Sequence, residues 1–331
     1  MDIMVSVYCF AYNQEQYIRD ALEGFVKQKT SFLYEVIVHD DASTDQTADI
    51  IREYAEKYPD IIKPIFQTDN QYSKGTKMLR EFILPVMKGR YIACCEGDDY
   101  WIDENKLQKQ YDFMEQHPDC SLVVHWSKIL YSDTGVIKDF AEYDQSCHEP
   151  YILETEKILK RHLLFTTNSM FYRREHYEIN REIDEKVRRF DYVTKSLLAT
   201  EGTVYVIPVY MSVYRFGSIG SWTRTVKRDP EKKIAHLEES IRFYKLLKAH
   251  CRNLYDNTID DVIHRRQFEI LLERRDFRGM KSPEFYADYK KFSCIQRAAF
   301  HFSACFPQFY DFMRYKVKTM VQRLIHKAMR K

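Results

Sequence analysis

The sequence predicts an α/β fold: an open, mostly parallel, Rossmann-like sheet flanked by helices, with a C-terminal helical extension. Three observations carry that expectation. Short apolar, β-prone runs alternate with helix-length amphipathic segments through the first hundred residues, the pattern of parallel strands joined by right-handed crossovers. Acidic clusters stand directly after two of those runs, at strand ends where open sheets of this kind bind ligands. Beyond about residue 225 the strand-like runs stop and long, charged, helical-looking stretches take over.

Taken in order, residues 5–10 read as the first strand, and Asn13 reads as the cap of a helix over 14–28 with Tyr17, Leu22 and Phe25 inward. A second strand, 34–38, ends in His39-Asp40-Asp41. Ser43 with Gln46 three residues later fits a capping box that opens a helix to about Tyr58. A strand over 61–66, a helix over 73–87 and a strand over 90–95 follow, with Gly89 as the helix stop. Further on the pattern gives a helix at 103–117, strands at 121–125 and 128–131, and an irregular stretch at 133–150. A helix at 154–164, a strand at 168–172 and a helix from Asp191 to about Thr200 come next. Two runs broken by Pro208, 203–209 and 211–215, lead into a glycine-bearing loop at 216–222. Residues 231–250 and 257–275 read as long helices.

At 331 residues, 45% hydrophobic and 15% aromatic, the chain has material for one large domain or two smaller ones. Its formal net charge of +2 is unevenly spread: residues 226–331 carry 24 Lys+Arg against 13 Asp+Glu, residues 1–225 carry 27 against 36. An acidic front with a basic back suggests two tasks, the basic part suiting an anionic surface. The eight cysteines form no CxxC pair and no regular framework, so buried free thiols in a reducing cytosol are expected, with no disulfide or structural zinc. Neither a secretory signal nor a run of about 18 apolar residues is expected to send the chain into or across a membrane.

The chemistry concentrates at Glu96-Gly97-Asp98-Asp99, which leaves the end of the apolar run 91–95. Clustered carboxylates repel one another unless a cation sits among them, and a hard divalent ion held by one or two carboxylates plus substrate phosphates meets that need. A solvated acidic turn capping the next helix is the plain alternative. Asp40-Asp41 occupies the equivalent place after the second strand; there the alternative is helix capping, for which Ser43 already stands ready. No GxGxxG and no GxxxxGK[ST] occurs, so a metal would have to hold any phosphates.

Together these motifs resemble family 2 glycosyltransferases of the GT-A fold, of the bacterial surface-polysaccharide type. Val5-Ser6-Val7 with Ala11-Tyr12-Asn13 resembles that family's first strand and nucleotide-contacting turn. The stretch from Glu35 to Asp45 resembles its acidic second-strand end, and Gly89-Arg90-Tyr91-Ile92-Ala93 followed by Glu96-Gly97-Asp98-Asp99 resembles its DxD region. The resemblance covers residues 4–225 and implies a catalytic domain over 1–225, leaving 226–331 as a basic helical region. It implies donor-nucleotide contacts at Ala11, Tyr12, Asp40, Asp41, Glu96 and Gly97: Tyr12 and Asp41 at the base, Glu96 near the ribose. Asp98 would bind Mg2+ or Mn2+ on the diphosphate, Asp99 would support the site, and Asp191 would be the catalytic base. Asn168, Arg215 and Trp222 would lie on the acceptor side. Two positions depart from the family pattern. Glu stands for Asp at 96, and Phe216 and Gly217 stand where a histidine often follows the arginine, which leaves the place of a third protein metal ligand open.

What the resemblance implies is an inverting transfer of a sugar from a UDP-sugar to an acceptor hydroxyl, with a lipid-diphosphate-linked saccharide as acceptor. Near the end of the chain Phe309, Phe312, Met313, Val317, Met320, Val321, Leu324, Ile325 and Ala328 recur at helical spacing. Seven Lys+Arg and no acid lie from Arg314 onward. A basic amphipathic helix over 309–331 suits peripheral contact with the inner face of the cell membrane; its alternative is a helix packed on the domain. Two rivals stay open: a sugar-phosphate nucleotidyltransferase, disfavoured by the lack of a basic glycine-rich first loop, and a non-catalytic nucleotide- or carbohydrate-binding protein. Nucleic acid is not an expected partner, since no recognised module is present.

Overall fold

A computed structural model describes residues 2–161, 163–179, 181–187, 191–218, 229–295, 297–298 and 301. One compact unit holds residues 1–225 and 242–260; a second holds 226–241 and 261–331. The sheet of the first unit starts with β1 (Ile3–Ala11), β2 (Leu33–Asp40), β3 (Ile62–Phe66) and β4 (Tyr91–Cys94). These run parallel in the order β3-β2-β1-β4, as the alternating pattern predicts. The second half is mixed. β9 (Phe171–Arg173) lies antiparallel between β4 and β6 (Cys120–Tyr131), while β10 (Thr203–Phe216) runs parallel to β6. A two-residue strand, β5 (Tyr100–Trp101), closes the edge antiparallel to β10. Short strands β7 (Val136–Asp139) and β8 (Tyr151–Ile152) pair with β6 and β10.

Alternation within the strands builds a core on each face. Val5, Val7 and Cys9 of β1 point toward α1 (Ile18–Val26), α2 (Thr47–Lys57) and α3 (Lys106–Gln116), meeting Ile18, Leu22, Phe25, Ile51 and Leu107. Tyr8, Ile92, Leu122 and Val124 point the other way, against Leu79, Ile83, Ile158 of α4 (Thr155–Lys160) and Leu198 of α7 (Asp191–Glu201). Two further short helices, α5 (Arg174–Ile179) and α6 (Arg181–Lys186), precede α7. Residues 242–260 belong to this first unit, so the basic region is not wholly separate from it: Phe243, Tyr244 and Leu247 are fully buried and Tyr244 Oη donates to Leu159 O at 2.9 Å. The long helices are Pro230–His250 and Asp256–Arg274. No helix among the described residues is long and apolar enough to cross a membrane.

Several expected elements change. The first helix begins at Ile18 rather than 14, because Asn13 takes a left-handed conformation (φ 51°) and Gln14 O closes a turn onto Tyr17 N and Ile18 N. The capping box at 43–46 does not form; Asp45 Oδ1 accepts from Thr47 N instead. The helix over 73–87 shrinks to a wide turn, Leu79–Ile83, where Leu84 N reaches back five residues to Leu79 O and Pro85 ends the ladder. The two strands at 121–131 are one, as are the two at 203–215, with register shifts around Pro208 absorbing the irregularity. The region 309–331, with its amphipathic pattern, lies outside the described residues.

Candidate active site

The two acidic turns are fastened to consecutive carbonyls of one strand. Gly97 N donates to Phe10 O at 3.0 Å, and Asp41 N donates to Ala11 O at 2.9 Å. The end of β1 therefore holds both turns side by side, because its neighbours in the sheet are β2 and β4. Gly97 is required by space: a Cβ there would press on Gln14 Oε1 and lie 2.9 Å from Ile18 Cδ1. The loops after β1 and β2 also clasp each other. Asn13 N donates to Ser43 Oγ (2.9 Å), Thr44 N donates to Asn13 Oδ1 (2.7 Å), and both Asn13 and Ala42 sit at positive φ. Strained backbone at two adjoining strand ends is the kind found at ligand sites.

Asp40 and Asp41 take different parts. Asp41, 3% exposed, accepts Gln71 N at Oδ1 (2.7 Å) and Tyr72 N at Oδ2 (3.0 Å), so its carboxylate anchors the loop at 70–72 rather than standing open to a base. Asp40 Oδ2 accepts Ser43 N, while its Oδ1 is buried with no hydrogen-bond partner among the described residues. Such an orphaned acceptor is costly unless something donates to it. Tyr12 beside it is 47% exposed and free to lie against a ring.

The β4 turn gathers more charge. Burial pushes the Glu96 carboxyl up to about 8, and the charges of Asp191 and Asp98 push in the same direction. Thr167 ties Asp191, the first residue of α7, to the end of β4: its hydroxyl donates to Asp191 Oδ2 and its carbonyl accepts from Cys94 Sγ. Burial also raises Asp98, against the pull of Ser218, whose hydroxyl donates to Asp98 Oδ2, and of Arg215. Asp99, 1% exposed, is raised well above the carboxylate range by burial; its Oδ1 accepts Arg215 N at 2.8 Å and its Oδ2 accepts Asn168 Nδ2 at 3.1 Å.

Residues 6–179 match the family described as Glycosyl transferase family 2. The chain belongs to that family. An uncharacterised protein of Mycobacterium tuberculosis is 36% identical over 219 residues, 66% of this chain and 60% of that protein, so the chain spans about 60% of that relative's length. The putative teichuronic acid biosynthesis glycosyltransferase TuaG of Bacillus subtilis is 30% identical over 216 residues, 64% of this chain and 79% of TuaG. Among solved structures, TarS of S. aureus (residues 1–349) in complex with UDP-GlcNAc aligns at TM-score 0.58 with 18% identity, covering 86% of this chain and 78% of that one. The mannosyltransferase PcManGT of Pyrobaculum calidifontis, in complex with GDP-Man and Mn2+, aligns at TM-score 0.54 with 16% identity, covering 98% and 88%. At these identities the likeness is one of fold, the GT-A arrangement.

For this family 2 glycosyltransferase the donor set suits a hard cation. The charges of Asp191 and Asp98 both act on Glu96, and a divalent ion beside that turn would relieve the repulsion. No group of three or more His, Cys, Asp or Glu side chains forms a metal cage among the described residues, so an ion bound here would complete its shell with substrate oxygens.

Two residues expected on the acceptor side are interior. Asn168 is fully buried: Nδ2 donates to Asp99 Oδ2 and Val213 O, and Oδ1 accepts from Ser212 and Thr166 hydroxyls, which leaves nothing for a ligand. Arg215 is also interior, its guanidinium paired with Asp20, donating to Asp98 O (2.9 Å) and packed on the rings of Tyr17 and Tyr100. Both brace the acidic turn. Trp222 lies outside the described residues. Sequence reasoning gave the loops at 166–169 and 216–222 the task of holding donor and acceptor in line but no individual role to Ser218, whose hydroxyl reaches Asp98, or to Thr167, whose hydroxyl touches Asp191.

Proposed function

We propose that the chain is an inverting, metal-dependent glycosyltransferase that moves a sugar from a UDP-sugar to an acceptor hydroxyl. The observation that supports this reading is the fastening of both acidic turns to the end of β1, with Thr167 linking Asp191 to the last residue of β4. Tyr12 lies along the base, and the orphaned Asp40 Oδ1 accepts a base N–H. Asp41 acts one step back, by holding the loop at 70–72. Glu96 faces the ribose, and Asp98 would hold Mg2+ or Mn2+ at the diphosphate. When bound, that ion neutralises the charge that develops on the leaving nucleoside diphosphate. Asp191, the first residue of α7, takes the proton of the acceptor hydroxyl. The acceptor oxygen bonds to the anomeric carbon as the bond to the diphosphate breaks, so the anomeric centre inverts.

Residues 1–225 with 242–260 form the proposed catalytic domain. The acceptor is a saccharide on a lipid diphosphate, and the chain works from the cytoplasmic leaflet. The basic excess of residues 226–331 and the putative teichuronic acid biosynthesis role named for TuaG support this. The test is turnover across a panel of nucleotide sugars with Mn2+, comparing the native protein with Asp191→Asn and Asp98→Asn. Loss of transfer by at least about 100-fold in Asp191→Asn is the expected result. Undiminished turnover would remove Asp191 from the role. Release of pyrophosphate from a nucleoside triphosphate and a sugar phosphate would favour the nucleotidyltransferase reading instead.

A further inference from the structure

Among the described residues, one side-chain hydrogen bond steadies the carboxylate at the head of α7: Thr167 Oγ1 donates to Asp191 Oδ2 at 3.1 Å. Thr167 is itself pinned. It opens the 3-10 turn Thr167–Ser169, and its carbonyl accepts from the Sγ of Cys94, the last residue of β4, at 3.0 Å. The chain on either side is fixed as well. Phe165 O accepts from the buried Nζ of Lys195, one helical turn beyond Asp191, at 2.9 Å. Asn168 is locked to Asp99 and Val213. Residues 165–168 therefore form a strap that ties the first turn of α7 to β4 and to the acidic turn, with the Thr167 hydroxyl as its contact with the carboxylate.

We propose that Thr167 is a positioning residue for the transfer reaction. Its hydroxyl engages one oxygen of Asp191, sets the rotamer of the carboxylate and leaves the other oxygen for the acceptor hydroxyl. This rests on the reading of Asp191 as the base. Since its hydroxyl bonds the base, its effect falls on the chemical step. At 3.1 Å the bond is long for a hydroxyl on a carboxylate, so its effect lies in aiming the base, and a misaligned base loses rate steeply.

The experiment compares Thr167→Val, Thr167→Ser, Asp191→Asn and the double variant Thr167→Val/Asp191→Asn in the full chain, with thermal melting as a check on folding. Thr167→Val is expected to lower kcat about 10–100-fold with the donor KM and the affinity for UDP with Mn2+ unchanged within about twofold. Thr167→Ser, which keeps the hydroxyl, recovers most of the rate, and the double variant is no slower than Asp191→Asn alone. Native kcat in Thr167→Val beside an inactive Asp191→Asn overturns this inference and leaves the base in place. An active Asp191→Asn overturns the base reading itself. Equal losses in Thr167→Val and Thr167→Ser, or a parallel loss of UDP affinity, would mark Thr167 as merely structural and overturn the proposal. Should Thr167→Val fail to fold, Thr167→Ala is compared with Thr167→Ser by the same measures.

Discussion

Lys106 is a fully buried lysine in the seam between α3 and the sheet. Its Nζ donates to Gln110 Oε1 at 2.7 Å and lies 4.0 Å from the centre of the Trp101 ring. Burial lowers it from 10.5 to about 7; the nearby Cys94, Cys95 and Asp103 pull only weakly the other way. An unfolded chain keeps this lysine protonated up to about pH 10.5, whereas the folded chain releases the proton from about pH 7. Between those values the unfolded state binds more protons, so stability rises with pH through that window. From pH 6 to pH 8.5 the rise from this group alone is about 2 kcal/mol. The buried thiols of Cys9, Cys94 and Cys95 are raised and oppose it only at higher pH, where the unfolded thiols begin to ionise. Lys106→Met keeps the stem packed on Trp101 and removes the titration. Urea unfolding of both proteins at the two pH values is the assay. The native protein is expected to gain about 2 kcal/mol over Lys106→Met between pH 6 and pH 8.5. The same pH slope in both would refute the reasoning, since it would mean that the ammonium is solvated in the fold.

Other outcomes follow from the same contacts. Asn168→Ala strips four buried polar groups of a partner. Because Ser127 Oγ still bonds both the Ser212 and the Thr166 hydroxyls, the expected loss is about 3–5 kcal/mol in urea unfolding rather than the full sum. A loss under about 1 kcal/mol would show that Asn168 is not the brace of the Asp99 turn. Removing residues 309–331 is expected to abolish flotation with anionic vesicles while leaving transfer to a soluble acceptor intact; undiminished flotation would contradict the membrane contact.

Much of the fold was legible where chemistry and period agree. β4 is an unbroken apolar run, and β1 and β2 are apolar but for the buried Ser6–Glu35 pair and the His39-Asp40 end, as strands covered on both faces should be. Legibility failed where a polar or cyclic residue imitates a break. Ser127 looks like the end of a strand, yet its hydroxyl bonds Ser212 and Thr166 inside the sheet. Pro208 looks like a strand end, yet a shift of register accommodates it. The acidic turns could be found because carboxylates after strands stand out. Which of them face outward could not: Asp41 and Asn168 have their hydrogen-bonding capacity taken by backbone and side chains far away in sequence. Ser218 and Thr167 carry ordinary hydroxyls, and only proximity to Asp98 and Asp191 gives them a part.

A crystal grown with UDP and Mn2+ and measured at the manganese absorption edge tests most directly whether one ion and one diphosphate occupy the end of β4. The account calls for a single anomalous peak shared by the Asp98 carboxylate and the diphosphate oxygens, with the uracil ring beside Tyr12 and Asp40. UDP bound elsewhere, or a peak with no Asp98 oxygen in its shell, would contradict it.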